Sequence, residues 1–250
     1  MNAADLFWTA QQTGVYPPNE PALALAVDEG ERLQLSLLDR WRTTGEQLGG
    51  WKVGLTSGRS RDAFGAGVRP FGFVLRSRIF AGGASIPRSR IPRLGLETEL
   101  AFRIGTTLGG RNVTPAQARA AVAAVAPAFE VNELRIRPGA DNGCRAADNL
   151  SQWGLVIGME QSPAPVLDYD ALTVSFSRDG EIVETVAAAG HIDDHFISLA
   201  ALARELSGFG LALEPGQQVI TGSYTRQSID RAGLYRGDFG ALGAVSVTFT

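Results

Sequence analysis

The sequence has little of what builds covalent or soft-metal frameworks. Among 250 residues it has one cysteine, Cys144, and two histidines. A lone thiol excludes an intrachain disulfide framework, and so few cysteines and histidines leave no structural zinc cluster. Cys144 lies in a loop with Gly and Arg. A reactive thiol fits that setting, but an incidental free cysteine in a reducing compartment is the simpler reading. Lysine is almost absent, so arginine carries nearly all the positive charge. Neither sign of charge dominates. A formal net charge of −3 gives no reason to expect nucleic acid or an anionic membrane as partner. The N-terminus lacks the basic region and apolar run of a signal peptide, and no later segment is long and apolar enough to span a bilayer. These absences predict a cytoplasmic protein.

What is present is an ordinary globular balance, 44% hydrophobic and 20% charged residues. The length allows one large domain or two small ones. We expect a single catalytic domain over 1–250, with 1–50 a helical N-terminal segment. Helical spacing marks 3–13, with Gly14 as a stop, and the stretch from Ala22 to about Leu48, ended by Gly49-Gly50. Tyr16 to Pro21 reads as a turn. Thr114-Pro115 opens a further, alanine-rich helix expected to run to Pro127, followed by a strand over 128–136. Residues 137–149 read as a loop. Short strands are expected at Trp51–Leu55, Trp153–Ile157, Val219–Thr221 and Val245–Phe249. Arg178-Asp179-Gly180 signals a hairpin between two more, and an amphipathic helix is expected over Phe196–Leu206. Early helices with many short strands argue for an α+β fold with a mainly β core.

Four stretches carry chemistry. In Gly95-Leu96-Glu97-Thr98-Glu99-Leu100-Ala101-Phe102-Arg103-Ile104, strict alternation predicts a strand. Residues two apart share a face, so the Glu97 and Glu99 carboxylates point side by side. Glu130 sits in the apolar run Pro127-Ala128-Phe129-Glu130-Val131, where a carboxylate needs a partner. Three carboxylates suit a hard divalent cation, Mg2+ or Mn2+, although a Glu-x-Glu pair also occurs on solvated strand faces. In Trp51-Lys52-Val53-Gly54-Leu55-Thr56-Ser57, a lysine in an apolar strand suits proton transfer or a substrate carboxylate. A lysine that snorkels from a strand edge fits the same letters. Thr221-Gly222-Ser223 ends a strand with hydroxyls and free N–H groups, suited to an anion or to an ordinary turn. Gly190-His191-Ile192-Asp193-Asp194-His195 offers a second metal site, or more economically an aspartate cap for the following helix.

In this order, these segments resemble the fumarylacetoacetate hydrolase superfamily, and within it the 2-oxopent-4-enoate (2-hydroxypentadienoate) hydratase and 4-oxalocrotonate decarboxylase branch. Arg135-Ile136, Ala147-Asp148-Asn149 and Pro215-Gly216 extend the likeness over nearly the whole chain. The resemblance implies a mixed β-roll or barrel-like core with the N-terminal helices packed outside. It implies one Mg2+ or Mn2+ on Glu97, Glu99 and Glu130. It implies Lys52 and Asp148 as catalytic groups, and Thr56, Asn149 and Ser223 at the substrate. It also implies a homo-oligomer acting on a small 2-oxo or 2-hydroxydienoate substrate, with a partner enzyme of the same pathway as a further option. Hydration of the dienoate is the first expectation, decarboxylation of a 4-oxalocrotonate-like diacid the second, and a non-catalytic binder of a small carboxylate the third. No histidine precedes position 191, which disfavours the hydrolytic branch.

Overall fold

The computed structural model of the protein describes residues 2–16, 24–137, 139–163 and 168–250. Residues 17–21 of the expected Tyr16–Pro21 turn lie outside the described residues. Helix α1 (Ala3–Thr13) is capped by Asn2, whose side chain accepts from Asp5 N, and ends at Gly14 in the left-handed region at φ 74°. Helix α2 (Val27–Thr43) is shorter than the spacing predicts. Gly49 and Gly50, expected to end it, belong instead to strand β1 (Leu48–Val53). A Cβ on Gly50 would lie 1.9 Å from Gln218 O, so close strand pairing is what that glycine permits.

Strands β2 (Phe71–Leu75), β3 (Ile79–Ala81), β4 (Ala84–Ile86) and β5 (Leu94–Ile104) follow. Helix α3 (Pro115–Ala121) starts where predicted, with a reciprocal Thr114–Gln117 capping box. It stops at Ala121, six residues before Pro127, because strand β6 (Val122–Glu133) begins there. Pro127 holds its predecessor extended, and pairing with β5 from Ile104–Val122 to Leu94–Glu133 overrides alanine's helical preference. The expected loop over 137–149 contains a short helix, α4 (Asn142–Ala147). Then come β7 (Gln152–Ile157), the hairpin β8 (Thr173–Arg178) and β9 (Glu181–Ala187), α5 (His195–Gly208), β10 (Gln218–Ser228), β11 (Gly233–Asp238) and β12 (Ala244–Phe249). The glycine- and charge-rich β11 was not anticipated from the sequence. Its exposed positions are Leu234 and Arg236, while Tyr235 and Gly237 are buried.

The strands form two mixed sheets, β2-β1-β10-β5-β6-β7-β3 and β4-β12-β11-β8-β9, neither closed into a barrel. The main core joins them, with Phe129, Phe176, Tyr235 and Phe249 in edge and tilted ring contacts. Each such buried ring contributes about 2–3 kcal/mol of transfer free energy. Helices α1 and α2 pack outside through a separate apolar cluster that includes Phe7, Leu37 and Ala147. Strand β5 is paired on both edges, by β10 and β6, and is buried on both faces, its glutamates included. Among the described residues, no helix is long and apolar enough to cross a membrane.

Candidate metal centre and cleft

Strand register builds the site. Glu97 on β5 is directly opposite Glu130 on β6, and Glu99 follows two residues on along the same face. On the other side β10 sets Ser223 against Glu99 and Arg226 against Glu97. The three glutamates are 2–3% exposed. Each offers a carboxylate oxygen, all within 4.8 Å of one another. Among the described residues this is the only convergent group of three or more carboxylate, imidazole or thiol side chains. The His191–His195 segment forms no second cluster. Asp194 caps α5, accepting from Phe196 N at 2.9 Å and Ile197 N at 2.8 Å. Asp193 takes Arg61 at 3.1 Å and Arg69 at 2.7 Å.

Lys52, the one lysine of the chain, is buried on β1 and donates from Nζ to Glu130 Oε1 and, at 3.0 Å, to Leu150 O. Glu97 Oε1 accepts from Asn132 Nδ2 at 2.8 Å and from Arg226 Nε at 2.6 Å. Glu99 Oε2 accepts from Gly222 N at 2.8 Å. Three carboxylates thus face two cations. Burial, then the Glu130 and Glu97 charges, push the Glu99 carboxyl well above the usual carboxylate range. Burial also raises Glu130, against the pull of Lys52. The donors are hard oxygens around a cavity of about 60 Å³, and one negative charge is left uncompensated. That set fits a divalent cation of the Mg2+ or Ca2+ type.

The cavity is also lined by Thr56, Ser57, Gly222, Ser223, Arg145 and Leu150. Thr221-Gly222-Ser223 is not a strand tip, as expected, but an irregularity inside β10, where the register to β5 shifts. Thr56 Oγ1 donates to Thr221 O at 2.7 Å. A Cβ on Gly222, at φ 140°, would meet Thr56 Oγ1 at 2.1 Å. The Ser57 and Ser223 hydroxyls lie 3.3 Å apart, and Ser223 N donates to Ser57 Oγ at 3.2 Å. Behind them His195 bridges Thr221 Oγ1 at 2.7 Å and Tyr224 Oη at 3.0 Å. Burial pulls its pKa down to about 4, so the ring is neutral at pH 7.

Thus Lys52, Thr56, Glu97, Glu99, Glu130 and Ser223 come together around one cavity. Asp148 and Asn149 do not line it. Asp148 accepts from Arg135 Nε at 2.9 Å in a buried network that also holds Glu133. Asn149 brackets Phe73, accepting from its N at 2.7 Å and donating to its O at 2.9 Å. From there Asn149, Leu150 and Ser151 run through three consecutive left-handed φ values, 60°, 49° and 63°. Non-glycine residues adopt these only when held. The turn aims Leu150 O at Lys52. Arg226, Asn132, Ser57 and Arg145 were missed in the sequence. No local spacing ties Arg226 to the site, because the register of β10 shifts between Ser223 and Thr225. Asn132 and Arg145 had no local signal either, whereas Ser57 closed the stretch that carries Lys52 without being singled out in it.

A family model described as fumarylacetoacetate (FAA) hydrolase C-terminal matches residues 51–240. The 2-oxo-hept-4-ene-1,7-dioate hydratase of Escherichia coli is 31% identical over 215 residues, 82% of this chain and 80% of that protein. The 4-oxalocrotonate decarboxylase of a Pseudomonas species is 31% identical over 229 residues, 91% of this chain and 88% of that one. Among solved structures, the 4-oxalocrotonate decarboxylase of Pseudomonas putida G7, complexed with magnesium and adipate, matches with a TM-score of 0.87 at 21% identity. The match covers 99% of this chain and 97% of that one and shows a shared fold.

Proposed function

The chain belongs to the fumarylacetoacetate hydrolase family, and on that premise we propose that it is a lyase adding water to a 2-hydroxy-2,4-dienoate, the 2-oxo-4-enoate, to give a 4-hydroxy-2-oxo acid. The observation that carries this reading is the convergence of Glu97, Glu99 and Glu130 on a cleft whose wall holds Lys52. Hydratases of 2-oxo-4-enoates and 2-hydroxydienoates stand among the relatives at 28–31% identity, which supports the same choice.

Glu97, Glu99 and Glu130 would hold one Mg2+ or Mn2+, which when bound supplies Lewis acidity toward a 2-oxo acid. The remaining work falls to the chain's own groups. Lys52 orients the substrate carboxylate and holds or moves the proton, its ammonium fixed between Glu130 and Leu150 O. The Ser57 and Ser223 hydroxyls give the bound acid its hydrogen bonds. Thr56 ties the loop after β1 to β10 and so sets the cleft width. Asp148 and Asn149 are positioning residues, acting through Arg135 and Phe73 on the left-handed turn that faces Lys52.

A second reading, decarboxylation of a 4-oxalocrotonate-like 2-oxo diacid, is favoured by the 31% likeness to such a decarboxylase over 91% of the chain. Product analysis after incubation with 2-hydroxypenta-2,4-dienoate and with 4-oxalocrotonate, each with Mg2+, separates the two. We expect a hydrated product, abolished by EDTA. Release of CO2 from the diacid without hydration of the monoacid would replace the first reading with the second. Binding without turnover of either would make the protein a carboxylate binder.

A further inference from the structure

The metal cleft is not the largest cavity. A second one, of about 370 Å³, opens beside it and shares Glu97, Arg145, Leu150 and Arg226 as its wall. Its size falls in the range of small-ligand pockets, roughly 300–1,000 Å³. The charge lining it is one-sided. Arg93, Arg137, Arg145 and Arg226 face it, against the single carboxylate of Glu97, which Arg226 and Asn132 already occupy.

Of these arginines, Arg145 has the setting of a ligand group. Arg93 and Arg137 are exposed, whereas Arg145 is half-buried and lines both cavities. Its guanidinium has no carboxylate partner among the described residues. Its contacts are a long hydrogen bond to Asn142 Oδ1 at 3.4 Å and the face of Phe64 at 4.8 Å. Burial and the nearby Arg226 both disfavour its charge, which an incoming anion would relieve.

The mount is rigid. Helix α4 is capped by Asp141, which accepts from Cys144 N at 2.7 Å and from Leu25 N at 2.9 Å. Gln34 Nε2 donates to Ala146 O at 2.9 Å. Gly30 lies so close that a Cβ there would fall 2.1 Å from Gly143 O. A guanidinium on such a support loses little freedom on taking a carboxylate bidentately.

We propose that the substrate carries a second carboxylate at its far end, and that Arg145, on the wall common to the two cavities, receives it. Arg145 is then a specificity-determining residue that separates diacid dienoates from their monoacid counterparts. This rests on the dienoate reading given above: the 2-oxo acid end lies at the glutamates, and the distal end extends past Leu150 into the larger cavity.

The test compares kcat/KM for 2-hydroxyhepta-2,4-diene-1,7-dioate and 2-hydroxypenta-2,4-dienoate, with Mg2+, in the wild type, Arg145→Met and Arg145→Lys. The wild type should prefer the diacid. In Arg145→Met that preference should shrink by about ten- to a hundredfold, the worth of one charge-assisted bidentate contact, chiefly through KM. Arg145→Lys should keep part of it. The ratio within one variant is insensitive to how much of the protein has folded. An unchanged ratio in Arg145→Met, or a wild type that prefers the monoacid, overturns the assignment while leaving the dienoate reading intact. Equal losses on both substrates place Arg145 at the shared 2-oxo acid end and also overturn it. No turnover of either by the wild type overturns the dienoate reading, and this inference with it.

Discussion

Replacing Glu99 with Gln should uncouple stability from metal without weakening the metal-free protein. Glu99 is 2% exposed, with Glu97 and Glu130 oxygens within 4.8 Å. At that separation and an effective dielectric of about 20, each like-charge pair costs roughly 3 kcal/mol. Lys52 and Arg226 compensate only two of the three carboxylates, and burial together with the Glu130 and Glu97 charges pushes the Glu99 carboxyl well above the usual carboxylate range, toward its protonated form, in the metal-free state. Gln has nearly the shape of that protonated acid and leaves Gly222 N an acceptor at the same place. The melting temperature in EDTA should therefore change little.

In the wild type, Mg2+ at a hundred times its Kd adds about 2.7 kcal/mol. For a chain of this length that raises the melting temperature by about 5–10 °C, at 2–4 °C per kcal/mol. In Glu99→Gln one of three charged ligands is gone and the rise should vanish over the same Mg2+ range. Differential scanning calorimetry with EDTA and with graded Mg2+ reads both numbers. A Glu99→Gln protein that keeps the wild-type rise would refute the trio as the metal site. One that melts many degrees lower in EDTA would refute the charge argument behind it.

Arg135 is 1% exposed between Glu133 and Asp148, so Arg135→Met should cost about 3–5 kcal/mol in urea unfolding by stranding two buried carboxyls. Adding Glu133→Gln and Asp148→Asn should restore part of that loss, and no restoration would mean that packing, not charge, is what Arg135 supplies. Glu31, buried on α2 near Glu205 and Asp28, has its pKa raised from 4.5 to about 7, by burial first and then by those two charges. A raised pKa favours the protonated folded form, so its stabilising contribution is full below pH 4.5 and is lost as pH rises through 7. Glu31→Gln should match the wild type near pH 4.5 and exceed it by about 2 kcal/mol at pH 8.5, and an equal difference at both pH values would contradict this.

How much of the site was legible depended on whether a residue's neighbours are local. Glu97 and Glu99 announced themselves because strand alternation is a two-residue rule. That Glu130 would stand opposite Glu97 could not be derived from spacing, since it depends on a ladder whose register is closed by residues as far apart as Leu94 and Glu133. The same ladder cut short the alanine-rich helix, which local propensity alone extends to Pro127. Asp148 and Asn149 lie beside the site in sequence yet turn away from its cavity, because Arg135 and Phe73 hold them from behind. Arg145 stayed invisible: a six-residue helix in a Gly- and Asp-rich stretch looks like a loop until α2 is packed against it. Family likeness, which carries register implicitly, supplied what periodicity could not.

Charge balance ties the metal site to the larger cavity. The glutamates bring three negative charges, and Lys52 and Arg226 bring two positive ones, leaving one carboxylate uncompensated. A divalent cation on the trio turns that deficit into a surplus of one positive charge. A substrate with one carboxylate consumes the surplus and leaves the cleft neutral without help from Arg145, whose half-buried charge then has no carboxylate counterpart among the described residues. A substrate with two carboxylates leaves the cleft one negative charge over, and Arg145 is the half-buried cation on the shared wall that has no carboxylate partner among the described residues. Leaving an unmatched charge away from water is costly for either sign; with the exposed Arg93 and Arg137 left to solvent, the total over the glutamates, the cation, Lys52, Arg226 and Arg145 is neutral with the dianion.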